Sequence, residues 1–597
     1  MKTRVSAYPL ITCDPFFSVW SFDDTLTTPT RHWAGSNAGL DGFVTVGNKR
    51  YRFMGGNALI DAIAQTDCEI TPHTTVYTFK NDELKLTVSF FTPYFFDDLA
   101  TVTLPATYIS YKAESEKDVK VEIILSSSLA ANGETVSHKN GRDAFVGAAE
   151  QNVLSESGDG VTAKWGYLHV LHDDSFCGKG FVGAFSNKKE DHFTLGFDDV
   201  KAITFLGVPC DDYYKVKYGS FDEMLFDTDA KFDTYREKAE KFDEKFAIDA
   251  SVHGDDYVKA VTLACRQSVG AHKLALCDGK PYFISKECFS NGCGATLDVT
   301  YPSIPLYLTY APELVRGMMR PLLAFAGTPM WHFDYAPHDC GQFPLLNRQV
   351  YGLNDDGTYN HEWQMPVEEC GNAIICVAAA AFEDGDTAFA EENRDLLEKW
   401  ASYLAENGYC PANQLCTDDF AGHLGKNCNL SLKAIVALAC FGKLYNDEKY
   451  TALAKKMASD WVKDTAADEG SGLTFDGIGW SLKYNIIWDK IYSLGLFDES
   501  VYEKEIAVYT SKRNVYGTPL DSRKDYTKTD WLAWTTVMGN EDYCRETYAS
   551  IVRMINETPD RLPFTDWYDT VTGNCVGFRN RTVIGGLAVN LLYDKKH

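Results

Sequence analysis

Apolar and polar residues alternate with a period of two through roughly the first 225 positions. The segments FVTVGNKRYRFMG, TTVYTFKNDELKLTVSFFTP, DVKVEIILSSSL and HFTLGFDDVKAITFLGV each send every second side chain to one face. Turn pairs such as Gly47-Asn48 and Asn81-Asp82 punctuate them. Many short strands separated by turns predict an antiparallel β-sandwich over residues 1–227. From Asp227 to Ala247 the period changes: Phe232, Tyr235, Ala239 and Phe242 recur at helical spacing among charges, which predicts a linker helix over 228–250. Helical periodicity then continues through segments near 257–276, 312–326, 367–382, 387–406, 428–442, 447–463, 484–493, 501–510, 530–537, 541–555 and 583–593. No fixed repeat length joins them, so residues 251–597 are expected to close as a toroid of helical hairpins rather than run on as an open solenoid.

Conspicuous residues gather in the long connections. Between Trp331 and Asn372 the chain carries Asp334, His338, Asp339, Glu362, Glu368 and Glu369 among Trp331, Phe333, Tyr335, Tyr351 and Trp363, with Pro337, Pro344 and Pro366 blocking a regular helix. A connection this long is functional or disordered, and its aromatic content argues against disorder. Four further loops share the character: NGCGATLDVTYPSIPLYL before the helix near 312, CTDDFAGHLGKNCNLSLK before 428, LDSRKDYTKTDWLAW before 530, and FTDWYDTVTGNCVGFRNRTVIGG before the last helix. All five lead into the N-terminus of what the pattern makes an alternate helix. In a closed toroid they converge on one rim.

Charge narrows the function. With 57 Lys+Arg against 84 Asp+Glu the net charge is -27, which repels phosphate backbones and anionic lipid, so neither nucleic acid nor a membrane is an expected partner. No export segment and no run approaching about 18 apolar residues is visible. The 17 cysteines include no C-x-x-C pair and no finger-type histidine spacing. They read as buried free thiols in a reducing cytoplasm, with no metal and no cofactor expected.

At the loop phrases the chain becomes recognisable. YPLITCDPFFSVWS, TRHWAG, LDVTYPSIPLYL, FDYAPHDCGQFP, MPVEECGN, TDDFAGHLGKNCNLSLKAI, LDSRKDYTKTDWLAW and FTDWYDTVTGNCVGFRNRTVIGG occur in one order over nearly the whole length, and in them the chain resembles the glutaminase A family. That resemblance implies an N-terminal β-sandwich followed by a C-terminal (α/α)6 toroid of the six-hairpin-glycosidase type, and hydrolysis of L-glutamine to L-glutamate and ammonia. Phe343 stands where the family loop is expected to carry a tyrosine. The expected setting is a bacterial cytoplasm.

Amide hydrolysis needs a nucleophile or a base-activated water, and a donor for the developing oxyanion. G-x-S-x-G is absent, and Ser186-x-x-Lys189 lies in a charged turn. Paired carboxylates remain, which also suit glycoside hydrolysis, the alternative reading. The expected proton-transferring acids are Asp339, Glu369 and Asp530, on three different rim loops. His338, Glu368, Trp363, Asp419, His423, Lys528, Trp531 and Arg579 are expected to line the substrate site. A free amino acid calls for cations and acids at its charged end, a role open to Arg579, Arg581 and Lys528 with Asp419. Asp298, Asp566 and Arg579 also read as ties between long loops. A carbohydrate-binding protein without catalysis is the third reading; the oligomeric state is open.

Overall fold

The computed structural model describes residues 4–160, 162–417 and 419–597, with the side chain of Asp419 outside the description. Two antiparallel sheets make the N-terminal half. One has eight strands, in the order Thr135–Asn140, Asp143–Ala148, Tyr167–Leu171, Glu190–Asp198, Ala106–Glu114, Lys85–Phe91, Thr74–Lys80 and Gln65–Ile70. The other has five: Ser175–Gly178, Phe181–Ser186, Val119–Ser126, Leu40–Val46 and Lys49–Met54. Burial alternates strictly along Val119–Ser126, so Val119, Val121, Ile123 and Leu125 enter the sandwich core while their neighbours face out.

Helices follow: α1 (Phe221–Ala230) and α2 (Phe232–Ser251), then α3 (Asp255–Gly270), α4 (Leu297–Tyr310), α5 (Pro312–Ala326), α6 (Pro366–Asp384), α7 (Ala388–Glu392) and α8 (Arg394–Asn407). The last seven are α9 (Cys428–Tyr445), α10 (Glu448–Asp464), α11 (Ile487–Tyr492), α12 (Glu499–Ser511), α13 (Thr529–Trp534), α14 (Glu541–Glu557) and α15 (Val589–Lys596). An inner ring closes through neighbour contacts from α4 to α6, α9, the 484–492 segment with α11, the 529–538 segment with α13, and the 582–596 segment with α15, which returns to α4. Of the outer helices α3, α5, α8, α10, α12 and α14, the first two are largely buried and the others keep an exposed face; in α10 the buried Tyr450, Ala454, Met457, Ala458 and Trp461 fall on one stripe. The chain is thus a β-sandwich followed by an (α/α)6 toroid. Among the described residues α9 is the one helix long and apolar enough to cross a bilayer, contrary to the sequence expectation of no such run. Protein buries 89% of it, as the inner ring requires.

Two local expectations change. The helix expected over 257–276 stops at Gly270, where a Cβ would lie 2.9 Å from the Thr12 carbonyl oxygen. His272–Cys277 instead pairs antiparallel with Lys280–Ser285. The stretch taken for a loop before 312 contains helix α4 despite Pro302 and Pro305. Each proline removes a backbone donor. Packing outweighs that cost: residue 297 and residues 299–308 are buried, and Gly586 passes so close that its Cβ would stand 2.5 Å from the Pro302 oxygen.

The hairpin at 272–285 also joins the two halves. It pairs with Val208–Asp212, which pairs with Ile203–Phe205, beside which Leu345–Leu346 lies parallel. At this seam the buried Lys273 ammonium meets three carboxylates, Asp14 at 2.8 Å, Asp199 at 2.8 Å and Asp212 at 2.6 Å.

Candidate functional site

The N-terminal ends of the inner elements bring the chemistry together. Asp298 stands in the first turn of α4, and Glu368 and Glu369 in the first turn of α6 behind Pro366, whose fixed φ suits a helix start. Asn427 caps α9 by accepting from the amides of Asn429 (2.8 Å) and Leu430 (3.1 Å), which sets Lys433 further along the same helix. Lys528 and Asp530 open α13, and Arg581 precedes the 582–588 turn. Non-glycine residues with φ near +50 to +60°, Phe289, Ala295, Lys426, Phe578 and Asn580, flank these junctions. Strained backbone of this kind collects where side chains must be aimed.

Glu368 and Glu369 diverge, as neighbours on a helix do. One Glu368 oxygen accepts from the Lys433 ammonium, from Thr417 Oγ1 at 3.0 Å and from Asn372 at 3.4 Å. Lys433 also donates to Asn372 Oδ1 at 2.7 Å and lies 4.3 Å over the Tyr301 ring. Glu368 is therefore committed within the protein. Glu369 is fully buried; Asn372 donates to its Oε2 at 3.0 Å, while Oε1 has no hydrogen-bond partner. Desolvation, then the charge of Asp298, hold its carboxyl well above the usual range despite His338.

His338 lies between two acids, its Nδ1 3.0 Å from Asp339 Oδ2 and its Nε2 3.7 Å from Asp298 Oδ1, with its ring stacked on Tyr351 at 4.2 Å. Burial alone would lower its pKa, but the hydrogen bond to Asp339 and the charge of Asp298 push it up to about 10. Asp339 accepts from that ring and from the amides of Gly341 (2.8 Å), Val350 (3.0 Å) and Tyr351 (3.2 Å). Where the sequence reading expects a proton-transferring acid, both Asp339 oxygens are occupied, locking the loop and orienting His338. Asp298, His338 and Glu369 present one ligand atom each within 4.8 Å of one another, the one such group among the described residues. Local spacing could not show it, because three separate junctions build it. His338 Nδ1 is taken up by Asp339, which leaves Nε2 as the ring atom that faces Asp298.

Across the ring Lys528 contacts the Asp566 carboxylate and stands 3.3 Å from Asp530 Oδ1. The latter pair lacks hydrogen-bond geometry, and neither Asp530 oxygen has a hydrogen-bond partner. Burial raises the Asp530 carboxyl to about 6, with Lys528 opposing and Asp566 reinforcing the shift. Arg581 lies 3.7 Å from Asp566 and 3.6 Å from Glu287, and its charge also acts on Asp298 and Asp530. Arg581 thus links the Asp298 side of the ring to the Asp530 side. Buried polar atoms without a hydrogen-bond partner gather here: Asp298 Oδ1, Glu369 Oε1, both Asp530 oxygens, Asp566 Oδ1, Arg581 Nε and Trp531 Nε1. Unpaired buried polar groups are rare elsewhere in proteins, and their convergence marks where a polar ligand fits.

The remaining expected residues divide. Trp531 is buried with its ring stacked on Tyr484 at 4.0 Å and 7°. Trp363 is 54% exposed on the rim beside Tyr351. His423 is exposed in the loop before α9 and is not drawn into the acid cluster. Asp419 lies in the turn Asp419–Ala421, but its side chain falls outside the described residues. Arg579 stacks its guanidinium 3.7 Å over Phe289 instead of joining the acids; Arg581 occupies the place expected of it. Asp298 and Asp566, read as loop ties, are central, and Glu287 and Lys433 were not singled out. The phrase TLDVTY carried a signal for Asp298, an acid at a helix start, but the two prolines hid the helix.

Comparison with known proteins follows the same division. The family model described as "Glutaminase A six helical-hairpin domain" matches residues 254–591, more than half of the chain, and two domains of unknown function match residues 1–65 and 73–179. A protein named Glutaminase A from Aspergillus oryzae is 28% identical over 668 aligned positions, covering 98% of this chain and 95% of that protein. A probable glutaminase from Arthroderma benhamiae is 26% identical, covering 67% of this chain and 56% of that protein. Both relatives are fungal, which overturns the expectation of a bacterial source. Among solved structures, a bacterial glucoamylase complexed with acarbose aligns with a TM-score of 0.49 at 11% identity, covering 100% of this chain and 96% of that one.

Proposed function

The chain belongs to the glutaminase A six helical-hairpin family and is a hydrolase, and on that premise we propose that it hydrolyses the side-chain amide of L-glutamine, with Glu369 as general acid and Asp530 as general base. One observation carries the assignment of roles: two buried carboxyls at the starts of two inner helices have different surroundings, Glu369 beside Asn372 and Asp530 beside the Lys528 ammonium. Desolvation and then Asp298 push the Glu369 carboxyl well above the usual range, while Lys528 opposes the effect of burial on Asp530, which is raised to about 6. Environments that separate two carboxyls in this way are how one site supplies both an acid and a base.

In this reading ionised Asp530 takes a proton from water as the water oxygen bonds to the amide carbon. Arg581 and Lys528 offset the negative charge that develops on the amide oxygen. Glu369 then gives its proton to the departing nitrogen as the C–N bond breaks, so that glutamine and water become glutamate and ammonia, and the proton held by Asp530 returns to Glu369 through solvent before the next turnover. His338, fixed by Asp339, restrains Glu369 and Asp298 electrostatically.

A glycoside hydrolase is the second reading, favoured by the Tyr484–Trp531 stack beside the acids, since flat rings suit sugar faces. Incubating the purified protein with L-glutamine and, separately, with aryl and oligosaccharide glycosides tests both. Ammonia release abolished by Glu369→Gln supports the amidase. Reducing-sugar release without ammonia transfers the same carboxyls to glycosidase roles.

A further inference from the structure

Five lysines are buried among the described residues: Lys273, Lys286, Lys433, Lys483 and Lys528. Four of them donate hydrogen bonds: Lys273 to Asp14, Lys433 to Glu368 and Asn372, Lys483 to Ser471 and Ser481, and Lys528 to Asp566. Lys286 alone has an ammonium with no hydrogen-bond partner, although its side chain is 0% exposed. Its three N–H groups are directional donors, and leaving all of them unused in a water-poor setting is costly.

What surrounds Lys286 comes from both halves of the molecule. Trp33, from the sandwich, lies with its ring 4.9 Å from the ammonium and is fixed by its own Nε1 bond to the Pro15 carbonyl at 2.8 Å. Asp159, also from the sandwich, approaches to 3.8 Å, which is ion pairing without a hydrogen bond. Its Oδ1 accepts instead from the Phe289 amide at 2.5 Å, so the carboxylate is anchored to the loop rather than to the lysine. That loop is pressed against the sandwich: Gly292 passes so near that a Cβ would stand 2.2 Å from the Asp159 nitrogen. The next residue after Lys286 is Glu287, which faces Arg581 at 3.6 Å and so belongs to the acid cluster. An under-used cation and an adjacent anion are thus held next in sequence to Glu287, which borders the acid cluster through Arg581.

We infer that Lys286 and Asp159 form a recognition site for the charged end of a free α-amino acid, Lys286 binding the α-carboxylate and Asp159 the α-ammonium. The inference rests on the amidase reading and names what selects its substrate. A zwitterion presents two opposite charges side by side, and this pair offers the complement. The ammonium of Lys286 keeps all three donors for it, and Trp33 excludes water from the contact. A glycoside has no such group and gains nothing from the pair.

The test compares L-glutamine with butanamide, which keeps the side-chain amide and lacks both charged groups. For Lys286→Met the KM for L-glutamine rises about 10- to 100-fold, the span of one charge-assisted hydrogen bond, with kcat within a few-fold. Its kcat/KM for butanamide stays at the wild-type value. Lys286→Arg, which keeps the charge, recovers most of the glutamine KM, and Asp159→Asn raises that KM without altering butanamide turnover. Equal losses on both amides, or an unchanged glutamine KM in Lys286→Met, overturn the inference. Calorimetric binding of L-glutamate to wild type and Lys286→Met gives a readout independent of turnover. Binding that is lost in the variant supports the site even if the wild type releases no ammonia, a result that would remove the amidase reading alone; no binding to the wild type, or equal binding to both, overturns the inference.

Discussion

Replacing Asp530 by asparagine separates what the residue does for chemistry from what it costs the fold. Asp530 is fully buried and its carboxyl is displaced from 3.8 to about 6. At about 1.4 kcal/mol per unit, that displacement corresponds to about 3 kcal/mol. The sign follows from linkage. Because the folded-state pKa lies above the unfolded one, the folded protein binds this proton more tightly. Above pH 6 it therefore carries the full cost of an ionised buried group, and below about pH 4, where both states are protonated, the cost disappears. Asparagine has nearly the same shape and cannot ionise, and Lys528 retains Asp566 as its partner. Asp530→Asn should accordingly be more stable than wild type by up to about 3 kcal/mol at pH 7.5, with the gain declining as pH falls from 6 to 4. Loss of the general base should at the same time lower turnover by about 10²- to 10⁴-fold. Urea unfolding followed by tryptophan fluorescence at pH 4.5, 6.0 and 7.5, beside ammonia release from L-glutamine, measures both. A variant no more stable at pH 7.5, a gain that does not change with pH, or full turnover would each refute the reasoning.

Other outcomes follow from the same geometry. Wild-type activity should fall on the acid side with a midpoint near pH 6, as Asp530 takes up its proton, and that limb should vanish from the residual rate of Asp530→Asn. Glu369→Gln should reduce kcat by about 10²- to 10⁴-fold and leave no basic limb, read from a pH–rate profile. Asp339→Asn should lower the thermal midpoint and bring the His338 titration, followed by NMR, down from about 10. Lys273→Met should destabilise by about 3–5 kcal/mol, because three carboxyls then face one another without a cation. That deficit should be smaller at pH 5 than at pH 7.5 in denaturation curves; a pH-independent deficit would point to lost packing instead. Activity should survive prolonged chelation. Loss reversed by one divalent ion would assign a cation to Asp298, His338 and Glu369.

The architecture was legible because periodicity is a local property. The sandwich strands alternate and the outer helices carry one apolar stripe, so a period of two and one of 3.6 can be read directly. The inner ring is apolar all round, and there the pattern fades; α4, with two prolines and no polar face, passed for a loop. At the site, the convergence of loops at alternate helix starts was foreseeable from topology, and it directed attention to Glu369, Asp530 and Lys528. Which acids keep a free oxygen was not foreseeable. The sequence reading makes Asp339 a proton-transferring acid and Asp298 a loop tie, yet three backbone amides and an imidazole occupy the first while one oxygen of the second has no hydrogen-bond partner. Arg579 and Arg581 differ by two positions in sequence, and only the turn around Asn580, at φ 53°, decides which of them enters the ring.

The seam between the halves has a consequence for how the chain must be made. The strand His272–Cys277 finds a partner in Val208–Asp212, and the buried Lys273 finds all its counter-charges on residues before position 213. During synthesis the N-terminal half leaves the ribosome first, so it can present a finished strand edge and three acids before any of the toroid exists. A toroid expressed alone from residue 251 would have a naked edge and an unneutralised cation at its base, and should collect in inclusion bodies. Co-expression with residues 1–250 as a separate polypeptide should return it to the soluble fraction.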